Sequence, residues 1–412
     1  MDMENNSPRA HSRARTIRVK AKALAKATKR TAPTATVKMP TQEAVQASAQ
    51  NNKVCCCGSA KGPGTLITQY GKNDCWITGE IGTEAGNIPQ VSTKLTFQDT
   101  LGTWKTRWGI GRMGYKVNPG IYAIGKPDKS SPVLVTANYK LTFDTLRREL
   151  DGLQVWLLVL DTKGINVWCA AGKGTFGTTE LIKRIGKTGL AGIVAHKTLI
   201  LPQLGAPGVS AHVVSKNTGF KIVYGPVRAE DIKEFLASGM EATEEMRSVR
   251  FDLKDRLVLT PVELTSAVKP ALPVLGILFL INLLAAKPFG LVDLYAYGGA
   301  LLAGCVLTPV LLPWIPGRAF AGKGWLMGML WTVAVLQLNG GIISPDFGML
   351  KELGYILVLP AVSAFYAMNF TGSSTYTSFS GVLKEMKRAI PLIIISIVLG
   401  SLLLLADSLL KF

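Results

Sequence analysis

Val155-Trp156-Leu157-Leu158-Val159-Leu160-Asp161-Thr162-Lys163-Gly164-Ile165-Asn166-Val167-Trp168-Cys169-Ala170-Ala171-Gly172-Lys173-Gly174 runs from unbroken apolar residues into a glycine-bounded loop. A short apolar run of this kind, bounded by turn residues, reads as a strand buried on both faces, and such strands belong to parallel sheets covered by helices. Around it, Val133–Ala137, Gly192–His196 with an extension to Leu201, and Phe220–Tyr224 read as further strands. Helices are expected at Thr142–Leu150, Thr178–Ile185, Val209–Ser215 and Ala229–Ala237. The alternation predicts a mostly parallel α/β sheet with helices on both faces, a Rossmann-like domain over residues 55–246. Ligands of such sheets bind beyond the carboxyl ends of the strands, so the site is expected among the loops Asn138–Lys140, Asp161–Gly174, Pro202–Gly208 and Gly225–Arg228.

The remaining sequence divides by composition. The chain has 412 residues, 46 Lys and Arg against 27 Asp and Glu, and 48% hydrophobic residues, with a mean hydropathy of +0.27. It is too apolar for an ordinary soluble enzyme, and its basic excess must be segregated from its apolar half. Residues 1–54 hold eleven Lys and Arg against Asp2, Glu4 and Glu43, without an aromatic residue. A segment like that cannot bury a core and reads as a disordered basic tail, either solvated or held against an anionic lipid or nucleic-acid surface. It resembles an organelle transit peptide in its Ala, Thr and Lys content, yet it opens with two acidic residues and lacks the apolar stretch of a secretory signal.

After a linker at 247–267, residues 268–412 read as an all-α polytopic membrane domain of five helices: Val268–Ala286, Phe289–Leu312, Gly324–Ile343, Leu353–Phe370 and Ala389–Leu409. Arg318, Lys323, Lys384, Lys387 and Arg388 fall in loops on one side, and Lys287, Lys351 and Lys411 on the other. The positive-inside rule then places the α/β domain and the N-terminus in the cytoplasm of a multi-pass protein of the cell inner membrane. Ala300 with Gly304, and Gly299 with Ala303, repeat at helical spacing and would let two helices approach closely.

The chemistry concentrates in the Gly164–Gly174 loop. A phosphate-binding Walker loop would need Gly at 167 and Ser or Thr at 174, where this chain has Val167 and Gly174, so nucleotide hydrolysis is disfavoured. What remains is a thiol beside small residues. If Asn166 caps a short helix, Cys169 lies at its third position, within the positive end of the dipole, and Lys173 adds a cation; both favour thiolate. Ala170, Ala171 and Gly172 would leave the face around the sulfur flat, as a large planar ligand requires. The alternative is an inert buried thiol. Cys305, inside an expected span, reads as packing, and structural disulfides are not expected in a cytoplasmic domain.

Asn166-Val167-Trp168-Cys169-Ala170-Ala171-Gly172-Lys173 resembles the signature of the membrane-bound corrinoid protein of microbial mercury methylation, the A component of a two-protein system. Thr136-Ala137-Asn138-Tyr139-Lys140 and Leu201-Pro202-Gln203-Leu204-Gly205 are similar to the corrinoid-binding domain of the corrinoid iron–sulfur protein of the acetyl-CoA pathway. The likeness to the mercury-methylation family extends to the five spans and to Asn369–Ser378. It implies a cobalamin-type corrinoid as cofactor, with Cys169 as catalytic residue and lower axial ligand to cobalt. Thr136, Asn138, Asn166, Val167, Trp168, Ala170, Ala171, Gly172, Lys173, Leu201, Gln203 and Gly205 would then be the cofactor-binding residues. A thiolate pushes electron density onto a metal, which would help a methyl group leave with its bonding electrons toward Hg(II).

The implied function is methyl transfer from the corrinoid to inorganic Hg(II), producing methylmercury. A membrane-anchored corrinoid methyl carrier of the acetyl-CoA pathway and a non-catalytic cofactor-binding anchor are the alternatives. His11, His196 and His212 do not stand in the Asp-x-His-x-x-Gly loop of corrinoid proteins that use a histidine ligand. Nor do Cys55, Cys56, Cys57 and Cys75 have the spacing of a complete cluster. Cys55–Cys57 are instead a candidate soft site for Hg(II), or exposed loop thiols. The electron for repeated turnover must therefore come from a ferredoxin-like iron–sulfur protein, and the methyl group from a methyl-donor protein or a methylated folate system. Membrane lipid is an expected partner, and no specific nucleic acid is.

Overall fold

The computed structural model describes residues 65–71, 74–283, 289–340, 348–373 and 379–409. The expected tail at 1–54 and the Cys55–Cys57 run lie outside the described residues.

The chain enters the α/β domain through a hairpin, β1 (Ile77–Thr83) and β2 (Gly86–Val91), followed by helix α1 (Phe97–Arg107) and β3 (Gly120–Ile124). Then come β4 (Val133–Ala137), α2 (Lys140–Glu149), β5 (Val155–Leu160), α3 (Val167–Gly172), α4 (Thr178–Lys187), a single turn α5 (Leu190–Ile193), β6 (Thr198–Leu201), α6 (Ala211–Thr218), β7 (Lys221–Tyr224), α7 (Ile232–Ala237) and α8 (Glu244–Arg247). The seven strands form one mixed sheet in the order β1-β2-β3-β5-β4-β6-β7. β5, β4, β6 and β7 are mutually parallel, while the β1–β2 and β3–β5 pairs are antiparallel.

Burial on both faces explains the apolar runs. Trp156, Leu158 and Leu160 of β5 join the core under α3, α4 and α6, whereas Val155, Leu157 and Val159 join the opposite core with Phe143 of α2 and Phe235 of α7. Truncating one such residue to alanine costs about 2–5 kcal/mol.

The expected strand at Gly192–His196 is corrected. Leu190–Ile193 is one helical turn entered through the left-handed Gly189, and only the extension, Thr198–Leu201, pairs in the sheet. Ile193 and Val194 are buried in the core all the same, so their apolar character reports burial and not strand pairing. No element was expected between residues 77 and 124, where the structure has β1, β2, α1 and β3. Of these, α1 carries a local start signal: Thr96 Oγ1 accepts from the Asp99 N–H at 3.2 Å, and Asp99 returns the bond to the Thr96 N–H at 2.9 Å.

Buried charge ties α1 to α2. Arg147, with no exposed side-chain surface, reaches Asp99 at 2.7 Å and Asp144 at 2.8 Å. Lys140 reaches the same two carboxylates at 2.6 and 2.7 Å. Burial alone would raise the Asp99 carboxyl. The Lys140 hydrogen bond, the Thr96 N–H and the Arg147 charge outweigh it and hold Asp99 well below the usual carboxylate range.

The helical region contains α9 (Leu253–Asn282), α10 (Leu291–Val310, with a π turn at Ala303–Leu307), α11 (Phe320–Leu338), α12 (Met349–Asn369) and α13 (Phe379–Leu409). Among the described residues four helices are long and apolar enough to cross a membrane: α9, α10, α12 and α13. The remaining expected span corresponds to α11, which Gly322, Gly324, Gly328, Lys323 and Gln337 dilute below that level. The expected linker is helical from Leu253 onward, so α9 begins well before Val268.

Small residues set the helix contacts. A Cβ at Gly304 would lie 2.5 Å from the Ser363 carbonyl of α12, and one at Gly324 would lie 2.4 Å from Ala367. α10, α11 and α12 therefore approach as closely as their backbones permit. At one end of this bundle Phe251 and Leu259 pack on Leu312, Phe320 and Phe370. Arg256 donates to the Val310 carbonyl at 3.1 Å, and Arg228, from the loop after β7, pairs with Asp255 at 2.6 Å. The α/β domain thus adjoins the bundle end that carries Arg318 and the start of α13.

Candidate functional site

The strand order places the site. The chain goes from β4 to its neighbour β5, then crosses to the other side of β4 to form β6, so the crevice between β4 and β6 is the topological switch point. A cavity of about 300 Å³ lies there, walled by Leu134–Thr136 of β4, Ile200 and Leu201 of β6, and Leu141–Leu146 of α2. Asn166, Val167 and Trp168 close one end, and Gly225–Ala229 the other. The lining is mostly apolar, and its polar residues are Thr136, Thr142, Thr145, Asn166 and Arg228.

α3 is built as its sequence dictates. Lys163 and Gly164 both adopt left-handed backbone conformations, turning the chain out of β5. A side chain at 164 would meet the Met113 carbonyl at 3.1 Å. Asn138 braces this turn from β4: its Oδ1 accepts from the Thr162 and Gly164 N–H groups at 3.1 and 3.0 Å, and its Nδ2 donates to Asp161 at 3.2 Å. Asn166 then caps the helix, its Oδ1 accepting from the Cys169 N–H at 3.0 Å. Cys169 is therefore the third helical residue, as the sequence predicts.

Of the expected site residues, Thr136, Asn166, Val167, Trp168 and Leu201 line the cavity. Trp168 is 39% exposed, and the Cys169 thiol beside it is free and exposed. Trp168, Cys169, Gly172 and Lys173 are the exposed residues of α3 and its C-cap. Ala170 and Ala171 are on the other face, buried in the core, where a Cβ at Gly208 would stand 3.3 Å from that of Ala171. This corrects the expectation that Ala170 and Ala171 flatten the surface around the sulfur: they let α3 pack against the 3-10 turn Gln203–Gly208. Gly172 is the residue that leaves the exposed face bare.

Gln203 is half-buried, its N–H 3.5 Å from the Pro226 carbonyl. Gly205 has a packing role, because a Cβ there would strike the Phe176 ring at 2.5 Å. Asn138, buried with its amide committed to the loop, positions α3 from beneath. His196 Nε2 lies 2.9 Å from the Ser131 carbonyl and its Nδ1 accepts from the Thr198 N–H, while exposed His212 contacts Ser210. Among the described residues no group of three or more His, Cys, Asp or Glu side chains is arranged to hold a metal ion. Cys75 is a lone exposed thiol and Cys305 a buried one.

Two features were not anticipated. The α2 wall, Leu141 to Leu146, faces the cavity, and its signal was the amphipathic spacing of the expected helix. Phe97, Leu101, Trp104 and Trp108 expose a continuous apolar face on α1, legible in their i, i+4, i+7, i+11 spacing.

Residues 103–236 match the family described as CO dehydrogenase/acetyl-CoA synthase delta subunit. That match spans β3 to β7 and all of the cavity. The chain is 36% identical over 127 residues to the acetyl-CoA decarbonylase/synthase complex subunit gamma of Methanocaldococcus jannaschii, covering 30% of this chain and 26% of that one. The α/β domain is related to that gamma subunit. The corresponding subunit of Methanopyrus kandleri is 36% identical over 124 residues, covering 29% of this chain and 26% of its own. Gamma subunit 2 of Methanosarcina thermophila is 39% identical over 94 residues, or 22% and 20%. The chain spans about a quarter of the length of these relatives, and none of the matched lengths exceeds a third of this chain.

Proposed function

We propose that the α/β domain binds a cobalamin-type corrinoid, whose cobalt the Cys169 sulfur would hold, and that the methyl group the cofactor would supply goes to inorganic Hg(II). The observation that carries this reading is the placement of the thiol: exposed at the third position of a helix capped by Asn166, beside a cavity at the switch point of the sheet. The residues fit the group in donor chemistry and in shape. A single free, exposed thiol would supply one soft sulfur donor to a metal that arrives with most of its ligands already in place. Gly172 leaves the exposed face without a side chain, and the apolar cavity takes part of a ligand too large to enter whole.

When bound, the methylated corrinoid supplies the group that Hg(II) accepts, giving methylmercury. The chain's own residues do the positioning. Asn166 fixes the first turn of α3, Asn138 fixes the loop that precedes it, and Trp168, next to Cys169 in sequence, offers a partly exposed aromatic surface to the cavity. The choice of Hg(II) rests on the likeness of residues 166–173 to the mercury-methylation signature. A second reading, a methyl carrier of the acetyl-CoA pathway, is favoured by the names of the relatives above. In either case the electron donor is a separate low-potential iron–sulfur protein, and the methyl donor a further protein or a methylated folate. Cys55–Cys57 are proposed to pass Hg(II) to the site.

The apolar helices are proposed to cross the cell inner membrane with the α/β domain in the cytoplasm. Supporting this, Arg318 and the Lys384–Arg388 cluster stand at the bundle end that adjoins the α/β domain. A single-turnover assay decides among the functions. Full-length protein loaded with methylated corrinoid and given Hg(II) anaerobically is expected to yield about one equivalent of methylmercury, and Cys169→Ala none. Release of the methyl group only to an acetyl-CoA pathway acceptor supports the carrier. Cofactor binding without transfer to either, unchanged in Cys169→Ala, supports a non-catalytic anchor.

A further inference from the structure

A second cavity, of about 910 Å³, opens between the starts of α11 and α13. Arg318, Lys384 and Arg388 surround its mouth, Trp325 and Ala364 line it, and Leu392 and Ile393 continue one wall along α13. The acidic residue of the lining, Glu385, accepts a hydrogen bond from the Ala321 N–H at 2.7 Å and so serves the first turn of α11. Arg318, Lys384 and Arg388 form no ion pair among the described residues. Among the cations of the α/β domain, Lys140, Arg147, Arg184 and Arg228 are paired.

Three unpaired cations over an apolar channel match one ligand class: a phosphate or phosphodiester joined to hydrocarbon. We propose that this cleft is a binding site for an anionic phospholipid, with its phosphate among Arg318, Lys384 and Arg388 and its acyl chains along Trp325, Leu392 and Ile393. The inference rests on the reading that these helices cross a membrane. It agrees with the level of the cleft, at the bundle end beside the α/β domain, where the anionic leaflet would lie. Basic pockets between membrane helices concentrate anionic headgroups in this way.

The test uses the full chain in phosphatidylcholine nanodiscs, reading tryptophan fluorescence against lipids with brominated acyl chains. Brominated phosphatidylglycerol is expected to quench more than brominated phosphatidylcholine at equal mole fraction. That excess should disappear in Trp325→Phe. In the variant Arg318→Gln/Lys384→Gln/Arg388→Gln the phosphatidylglycerol dependence should shift to roughly tenfold higher mole fraction or beyond. Equal quenching by the two lipids, or an unchanged titration in the triple variant, overturns the site while leaving the membrane reading intact. No quenching by either lipid overturns the membrane reading itself. Inorganic phosphate in solution is a separate arm: displacement of the excess quenching at low millimolar phosphate would make the cleft an ion site and contradict a lipid.

Discussion

The strand-end cavity and the cleft between α11 and α13 treat charge in opposite ways. At the strand-end cavity the charged residue of the lining, Arg228, is paired with Asp255 across the junction to α9, and the remaining polar groups are hydroxyls and an amide. At the cleft between α11 and α13 three cations form no ion pair among the described residues. A site that orients a large neutral ring system needs shape and one donor, whereas a site for a phosphate needs uncompensated positive charge. The difference also separates structural from functional cations. Arg147, fully buried between two carboxylates, holds α1 to α2, whereas the cations of the cleft form no ion pair among the described residues.

The sharpest way to break this contrast is to remove a cation from each region. Arg147→Met strips the buried Asp99–Asp144 pair of one counter-charge and is expected to cost about 3–5 kcal/mol of stability, read as lost hydrogen-exchange protection in β4 and β5. Lys384→Gln, at the smallest end of the scale, should change stability by less than about 0.5 kcal/mol. Similar losses in the two variants would erase the distinction.

Between these extremes, acid should act through the first region. Asp99 titrates lower in the folded protein than its ordinary 3.8, so the unfolded chain binds the proton first as pH falls. Its contribution is complete above that value and is lost progressively below it. A thermal melt of the α/β domain that falls between pH 5 and 3 in the wild type, and falls less in Asp99→Asn, is the expected result. A smaller effect belongs to the cavity wall: Trp168→Ala should weaken corrinoid binding about tenfold through lost aromatic contact. Unaltered affinity would make it an ordinary surface residue. Asn166→Ala removes the cap of α3 and should lower stability by about 1 kcal/mol, with a similar loss in cofactor affinity.

The parts legible in the sequence are those whose signal is local. β4 and β5 were found to the residue because each is a continuous apolar run, and the cap at Asn166 because Asn before a short helix has one common use. β1 and β2 escaped because Gly79, Gly82 and Pro89 dilute their apolar pattern, and β3, although its Ile121–Ile124 run is continuous and apolar, because its antiparallel pairing with β5 falls outside the βα alternation. Ala170 and Ala171 were misread because small residues serve equally for a flat surface and for close packing. Only the approach of Gly208, more than thirty residues away, distinguishes the two. The Arg228–Asp255 pair depends on a tertiary contact that spacing does not encode.

Cobalt K-edge X-ray absorption on the full-length protein loaded with a cobalamin-type corrinoid tests the central claim most directly, comparing wild type with Cys169→Ala. One sulfur neighbour at cobalt is expected in the wild type, replaced by a nitrogen or oxygen neighbour or by none in Cys169→Ala, with the apolar helices still folded. A cobalt environment free of sulfur in the wild type, or identical in the two proteins, would contradict that claim.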